Sequence, residues 1–165
     1  MRKRRIIRPY LTFVVCLAGA SALLAWVTRN ECAVSFIQAG VARCTSFVLS
    51  LLKMQTVVVG HTIESSRFHI EVITACTGLY VASVFLPAVI AYPSRLIAKL
   101  IGATCGIAAI FALNIIRLVS LFYIGVYLPG FLEYAHLLVW QSLFIIFALF
   151  LWLFWAEKVA HASCK

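Results

Sequence analysis

Hydrophobic positions along the chain fall into long runs separated by short polar breaks, and the runs differ in period. Residues 10–28 are almost continuously apolar over close to the length of about 20 residues that a membrane-spanning helix needs. Over 33–52 the pattern becomes amphipathic. A polar stripe at Ser35, Gln38, Ala42, Thr45 or Ser46, Ser50 and Lys53 is spaced by threes and fours, with Phe36, Ile37, Val41, Phe47, Val48 and Leu51 on other faces. That suits a helix lying in the membrane interface, with a full crossing as the alternative. Residues 55–74 are rich in β-branched side chains that partly alternate, which predicts two short strands joined around Glu64 to Arg67. An isolated hairpin is marginal in water, so it must rest on the helices or the membrane surface. Its place just before Cys76 would let it present that residue, or offer an edge to an extended peptide. Apolar runs resume over 76–92, 96–128 and 136–156, the first carrying Pro87 as a kink and the second ending at Pro129-Gly130. The pattern predicts a single all-α polytopic membrane domain over 1–165. It has about four transmembrane helices (10–28, 76–92, 96–128 and 136–156), an interfacial amphipathic helix (33–52) and a short extracytoplasmic β-hairpin (55–74).

Composition agrees, with 64% hydrophobic and 12% charged residues against roughly 45–50% and 25% in soluble domains. The lipid bilayer is the first expected partner. A formal net charge of +9 raises nucleic acid as another, but the basic residues flank apolar runs instead of lining a soluble face. They report orientation instead. Arg2, Lys3, Arg4, Arg5 and Arg8 put residues 1–9 in the cytoplasm by the positive-inside rule. A cleaved signal peptide would share that flank and the small residues from Ala18 to Ala22, but the apolar run continues past them. Arg95 and Lys99 mark the next cytoplasmic flank, and Lys158 and Lys165 mark a cytoplasmic tail over 157–165. At roughly 1.5 Å per residue, Leu96 to Arg117 covers about 32 Å, close to the roughly 30 Å hydrocarbon thickness. Cys76, Arg117 and His136 then share the outer face. A spanning 33–52 segment would invert the later helices and strand Arg95 and Lys99 outside, although Arg29, Arg43, Lys53 and Arg67 are outside in the interfacial arrangement too.

Those three residues carry the candidate chemistry. Arg117 is costly in a membrane unless it faces a bundle interior or water; Asn114 and Ser120, three residues to either side, place it on one polar stripe. Alone it would read as a snorkelling arginine near a helix end. Cys76, between Thr74 and Thr77-Gly78, falls at an expected helix start, where free N–H groups favour a thiolate and can stabilise an oxyanion. His136 opens the last run and has the intrinsic pKa of a general acid or base near neutrality; its plainer role is an interfacial histidine bonded to backbone or to Glu133. His61 and His69 lie in the predicted hairpin and suit a surface role. The cysteines at 16, 32, 44, 76, 105 and 164 form no Cys-x-x-Cys pair, which argues against a thioredoxin-like site and a zinc site. No metal or organic cofactor is implied. Cys32 and Cys44 can pair only if both face an oxidising compartment.

Three ordered motifs carry a family resemblance. Phe-His-Ile-Glu-Val-Ile-Thr-Ala-Cys-Thr-Gly-Leu (Phe68 to Leu79), Asn-Ile-Ile-Arg-Leu (Asn114 to Leu118) and His-Leu-Leu-Val-Trp (His136 to Trp140) are similar to the motifs of the exosortase/archaeosortase family of membrane-embedded cysteine transpeptidases. Thr77 stands where serine is commoner, and the chain is much shorter than typical members, in which it resembles the compact exosortase H type. The resemblance implies a bacterial inner-membrane enzyme with its active site on the extracytoplasmic face. Its substrates would be exported proteins bearing a PEP-CTERM-like carboxy-terminal sorting signal, made of a short motif, a transmembrane helix and a basic tail. Cys76, Arg117 and His136 match the catalytic positions, with Asn114, Thr77 and Gly78 supporting them. A cell-surface acceptor, or water, would resolve the acyl-enzyme. The alternative is a non-catalytic membrane assembly or scaffold subunit whose polar stripe joins helices.

Overall fold

The structure, a computed structural model, describes residues 2–160, with side chains described over 10–159. Helix α1 (Arg2–Arg29) runs almost directly into α2 (Glu31–Leu51), because Asn30 between them is an N-cap. Its backbone is extended, and its side-chain oxygen accepts from the Ala33 N–H at 3.2 Å. At the far end Lys53, at φ 63°, turns the chain: its N–H donates to the Ser50 carbonyl, and the Met54 N–H donates to that of Leu49. This is the Schellman arrangement.

A small antiparallel sheet follows, in the order β1 (Val57–Val59), β2 (Thr62–Glu64), β3 (His69–Glu71). The predicted junction around Glu64 to Arg67 is present between β2 and β3. The predicted first strand is in fact two, because Gly60, at φ 64°, permits a tight turn with His61 that folds β1 back onto β2. A three-residue 3₁₀ turn (Thr74–Cys76) then leads to α3 (Leu79–Ala91). Tyr92 is extended, as a residue before proline prefers, and α4 (Leu96–Tyr127) follows. Beyond Pro129 the chain stays helical through α5 (Leu132–Tyr134), a π-helical stretch (Ala135–Trp140), α6 (Gln141–Trp155) and a second π stretch (Ala156–Ala160).

Four helical stretches, Tyr10–Arg29, Glu31–Leu51, Leu96–Tyr127 and Pro129–Val159, are long and apolar enough to cross a membrane. The chain is thus an all-α protein of the multi-pass membrane type with a small sheet. Helix α2, in the region expected to lie in the interface, is one of the four. Helix α3, in the region expected to cross, has 13 residues and a length of about 20 Å, short of the roughly 30 Å core. The surface supports a bilayer setting. Helix α2 turns Gln38 and Thr45 inward and leaves Phe36, Phe47 and Leu51 exposed, the reverse of a water-facing helix. The basic side chains before Tyr10 and the tail residues Cys164 and Lys165 lie outside the described residues.

Helix α4 is the spine. Its C-terminal half, Ile115, Leu118 and Phe122, packs with Val41, Ala42 and Leu49 of α2 and with Ile63, Val72 and Cys76. Its N-terminal half, through Ile110, shares a second core with Phe85 and Val89 of α3 and with Phe144, Trp155 and Ala156. Small residues let neighbours come close there. The Trp155 indole N–H donates to the Ala98 carbonyl at 2.8 Å, and the Phe85 ring fills the place a side chain on Gly106 would take. Asn114 and Arg117 fall where the two cores meet.

Gly106→Leu is therefore expected to lower stability by about 1–3 kcal/mol through overpacking against Phe85. Gly40→Ala, which meets nothing within 4 Å, should leave it equal or slightly higher. Thermal unfolding in detergent micelles checks this; equal melting of the Gly106→Leu variant and the wild type would refute the close packing.

Candidate active site

The nucleophile candidate is held by its own segment first. After Ile73 in extended conformation, the Cys76 N–H donates to the Ile73 carbonyl at 2.8 Å and closes a 3₁₀ turn. The Thr77 hydroxyl donates to the Thr74 carbonyl at 2.7 Å. Gly78 at φ 80° redirects the chain into α3, a conformation that explains glycine here, since the space around it is ordinary. Cys76 was expected at a helix start. It lies three residues before the first residue of α3, as the last residue of the turn, because the chain needs Thr77 and Gly78 to change direction.

Two long-range bonds fix that turn. Asn114 of α4 is fully buried, and its side-chain amide donates to the Cys76 carbonyl at 2.7 Å. A carbonyl only accepts, so the amide nitrogen must face it. The other amide atom, Oδ1, is left buried without a partner. From α2, Gln38 donates to the Thr74 hydroxyl at 3.4 Å.

Arg117 is one turn beyond Asn114 on the same face of α4 and is 8% exposed. Its guanidinium lies over the Phe144 ring, 5.5 Å from the centroid, which gives a cation–π contact. Its Nε is buried without a hydrogen-bond partner. The third member of the expected stripe, Ser120, gives its hydroxyl to the Arg117 carbonyl at 2.8 Å within the helix. His136 comes from the π-helical stretch, and its Nε2 stands 3.8 Å from the Cys76 sulfur, across 60 residues of sequence. Such widened turns re-aim side chains and are frequent at functional sites. Glu133 is exposed and makes no bond to His136.

Burial pushes the Cys76 thiol up from its ordinary value, while the Arg117 charge and the Ile73 backbone N–H pull the other way. The net direction is upward, so the resting group is a thiol. A thiol beside an imidazole, with a fixed cation and a buried amide around it, can carry nucleophilic acyl transfer.

The remaining candidates lie elsewhere. His61 pairs with Glu71 across the sheet at 3.1 Å, and His69 is exposed. Cys32 and Cys44 are free and sit twelve residues apart on α2, about 18 Å along the axis, too far for a disulfide between them. Among the described residues, no three His, Cys, Asp or Glu side chains gather as a metal site would require. Two contributors escaped sequence reasoning. Gln38 was visible only as part of a stripe, and Phe144 carried no signal within an apolar run. No family model, curated protein or solved structure matches the chain.

Alkylation of Cys76, followed peptide by peptide by mass spectrometry, should rise with pH to a midpoint above the ordinary thiol value of 9.0. Arg117→Gln removes the charge that favours the thiolate, so its midpoint should move further up. A downward or absent shift in Arg117→Gln would show that the guanidinium does not act on the sulfur.

Proposed function

We propose that the protein is a membrane-embedded cysteine transpeptidase or protease of the exosortase type. It would act on exported proteins with a carboxy-terminal sorting signal; in this reading α2, though long enough to cross, lies against the bundle, so that Arg95 and Lys99 stay cytoplasmic and Cys76 faces the extracytoplasmic side of a bacterial inner membrane. The observation that carries this reading is the 3.8 Å approach of the Cys76 sulfur to His136 Nε2 beside the buried Arg117. The motif resemblance supplies the substrate class.

The steps follow from the side chains. His136 Nε2 takes the proton of the Cys76 thiol as the sulfur attacks the scissile carbonyl carbon, which gives a tetrahedral oxyanion. Arg117 does not deprotonate at ordinary pH and stabilises that oxyanion. The intermediate collapses, the C–N bond breaks, and the leaving amine takes the proton from His136. The thioester left on Cys76 is resolved by an amine or hydroxyl of a cell-surface acceptor, or by water. Asn114 positions Cys76 through its carbonyl, and Thr77 and Gly78 shape the turn.

A specific feature favours this over a scaffold subunit. Polar residues that join helices bond to one another, whereas Asn114, which holds the Cys76 carbonyl, and Arg117 each keep a buried polar atom, Oδ1 and Nε, unbonded. Buried groups of this kind call for a partner.

Co-expression with a protein bearing the tripartite tail should show processing by the wild type, with a loss of at least about 10³-fold in Cys76→Ala. Cys76→Ser and His136→Ala should also lose most activity. Undiminished processing by a well-expressed Cys76→Ala variant would sink the enzyme reading. For orientation, a thiol reagent that does not cross membranes should label Ser66→Cys in intact cells and Arg95→Cys only after permeabilisation; the reverse pattern would refute the extracytoplasmic site.

A further inference from the structure

The sheet lays one face, Val58, Ile63 and Ile70, on the first core, and just before β1 Thr56 Oγ1 bonds Ser46 Oγ of α2 at 2.8 Å. Strand β3 is an edge of the sheet. In an antiparallel pair, every second residue turns its N–H and C=O toward the partner and the residues between turn theirs away. The Ser65 N–H donates to the Phe68 carbonyl and the Val72 N–H to the His61 carbonyl. With Ile63 opposite Ile70, this fixes Phe68, Ile70 and Val72 as the inward-bonded set. His69 and Glu71 therefore present N–H and C=O groups outward, and no described group bonds to them.

This free row leads to the candidate nucleophile. The next outward position is Ile73, whose carbonyl accepts the Cys76 N–H at 2.8 Å. Asn114, which holds the Cys76 carbonyl, and Arg117 each keep one buried polar atom, Oδ1 and Nε, without a partner. An edge row of alternating donors and acceptors that leads to a thiol has the chemistry of a second peptide backbone. The edge is short and carries His69 and Glu71, but it contains no proline.

We propose that an extended polypeptide segment docks as a fourth strand on the free edge of β3, bonding to His69 and Glu71, and that this pairing delivers its backbone to Cys76. Main-chain bonds then supply sequence-tolerant affinity, and discrimination falls to side-chain contacts near the sulfur. The proposal deepens the peptidase reading and rests on it for the bond that is cut, but not for the strand pairing itself.

The test is site-resolved amide hydrogen exchange on the full chain in detergent micelles. The probe is an acetylated and amidated hexapeptide of alternating threonine and valine. Saturating peptide should slow exchange at His69 and Glu71 by about tenfold or more and leave Ile70 and Val72, already bonded to β2, unchanged. Glu71→Pro removes an outward N–H at a position where an edge strand tolerates proline. It should abolish the slowing, while Glu71→Ala should retain it. Unchanged exchange at His69 and Glu71 at the highest peptide concentration overturns the proposal. So does exchange already slow without peptide and dependent on protein concentration, which would assign the edge to a second copy of the chain. Slowing without any processing in co-expression would sink the peptidase reading and leave the edge as a peptide site.

Discussion

One buried hydrogen bond, from the Asn114 side chain to the Cys76 carbonyl, joins the two halves of this architecture. The donor belongs to the spine helix, and the acceptor belongs to the turn that links the sheet to α3. Both are out of water, where leaving either unpaired costs about 1–3 kcal/mol. With the bond made, the first core of α2, the sheet and α4 and the second core of α3, α4 and α6 share a fixed point. The position of the sulfur follows from it. Cys76 lies within bonding reach of the helix that also carries Arg117, so the thiol and the cation are placed by one element.

The cation is the expensive part. An arginine in a low-dielectric interior is tolerated only with compensation, and here the compensation is the Phe144 face. Among the described residues the one ion pair is His61 with Glu71 on the sheet surface. A protein selected for stability alone would do better with an apolar residue at position 117. Retaining a buried guanidinium with an unbonded Nε makes sense where negative charge develops during a reaction, because the stabilisation is then realised in the transition state.

What the sequence made legible follows the length of the signal. Long apolar runs with charged flanks gave the helices of α1, α4 and the final stretch, since burial in lipid leaves a pattern over tens of residues. The Glu64–Arg67 turn was legible from its polar residues, but the Gly60–His61 turn was hidden by the valines and isoleucine around it. Asn114 and Arg117 were readable as one stripe because a helix repeats every three to four residues. The bond from Asn114 to Cys76 and the approach of His136 to its sulfur were not, because no local rule relates residues 76, 114 and 136. The π-helical stretch that aims His136 left no trace either, as its sequence, Ala-His-Leu-Leu-Val-Trp, suits an ordinary helix. Phe144 is one aromatic residue among many in its run until the fold sets it under a cation.

The protonation of Cys76 decides how such a site works. A helix start would have favoured a resting thiolate, as in pre-ionised cysteine–histidine pairs. Burial in a 3₁₀ turn instead keeps the thiol protonated, with Arg117 reducing that tendency without reversing it. A neutral buried thiol is a poor target for oxidants and adventitious electrophiles. The separation of 3.8 Å to His136 is long for a strong hydrogen bond, and such contacts tighten when substrate completes a site. In the proposed peptidase, proton transfer would then accompany attack and not precede it. The cation that fails to ionise the resting thiol would stabilise the charge that attack creates, so activation would wait for the substrate.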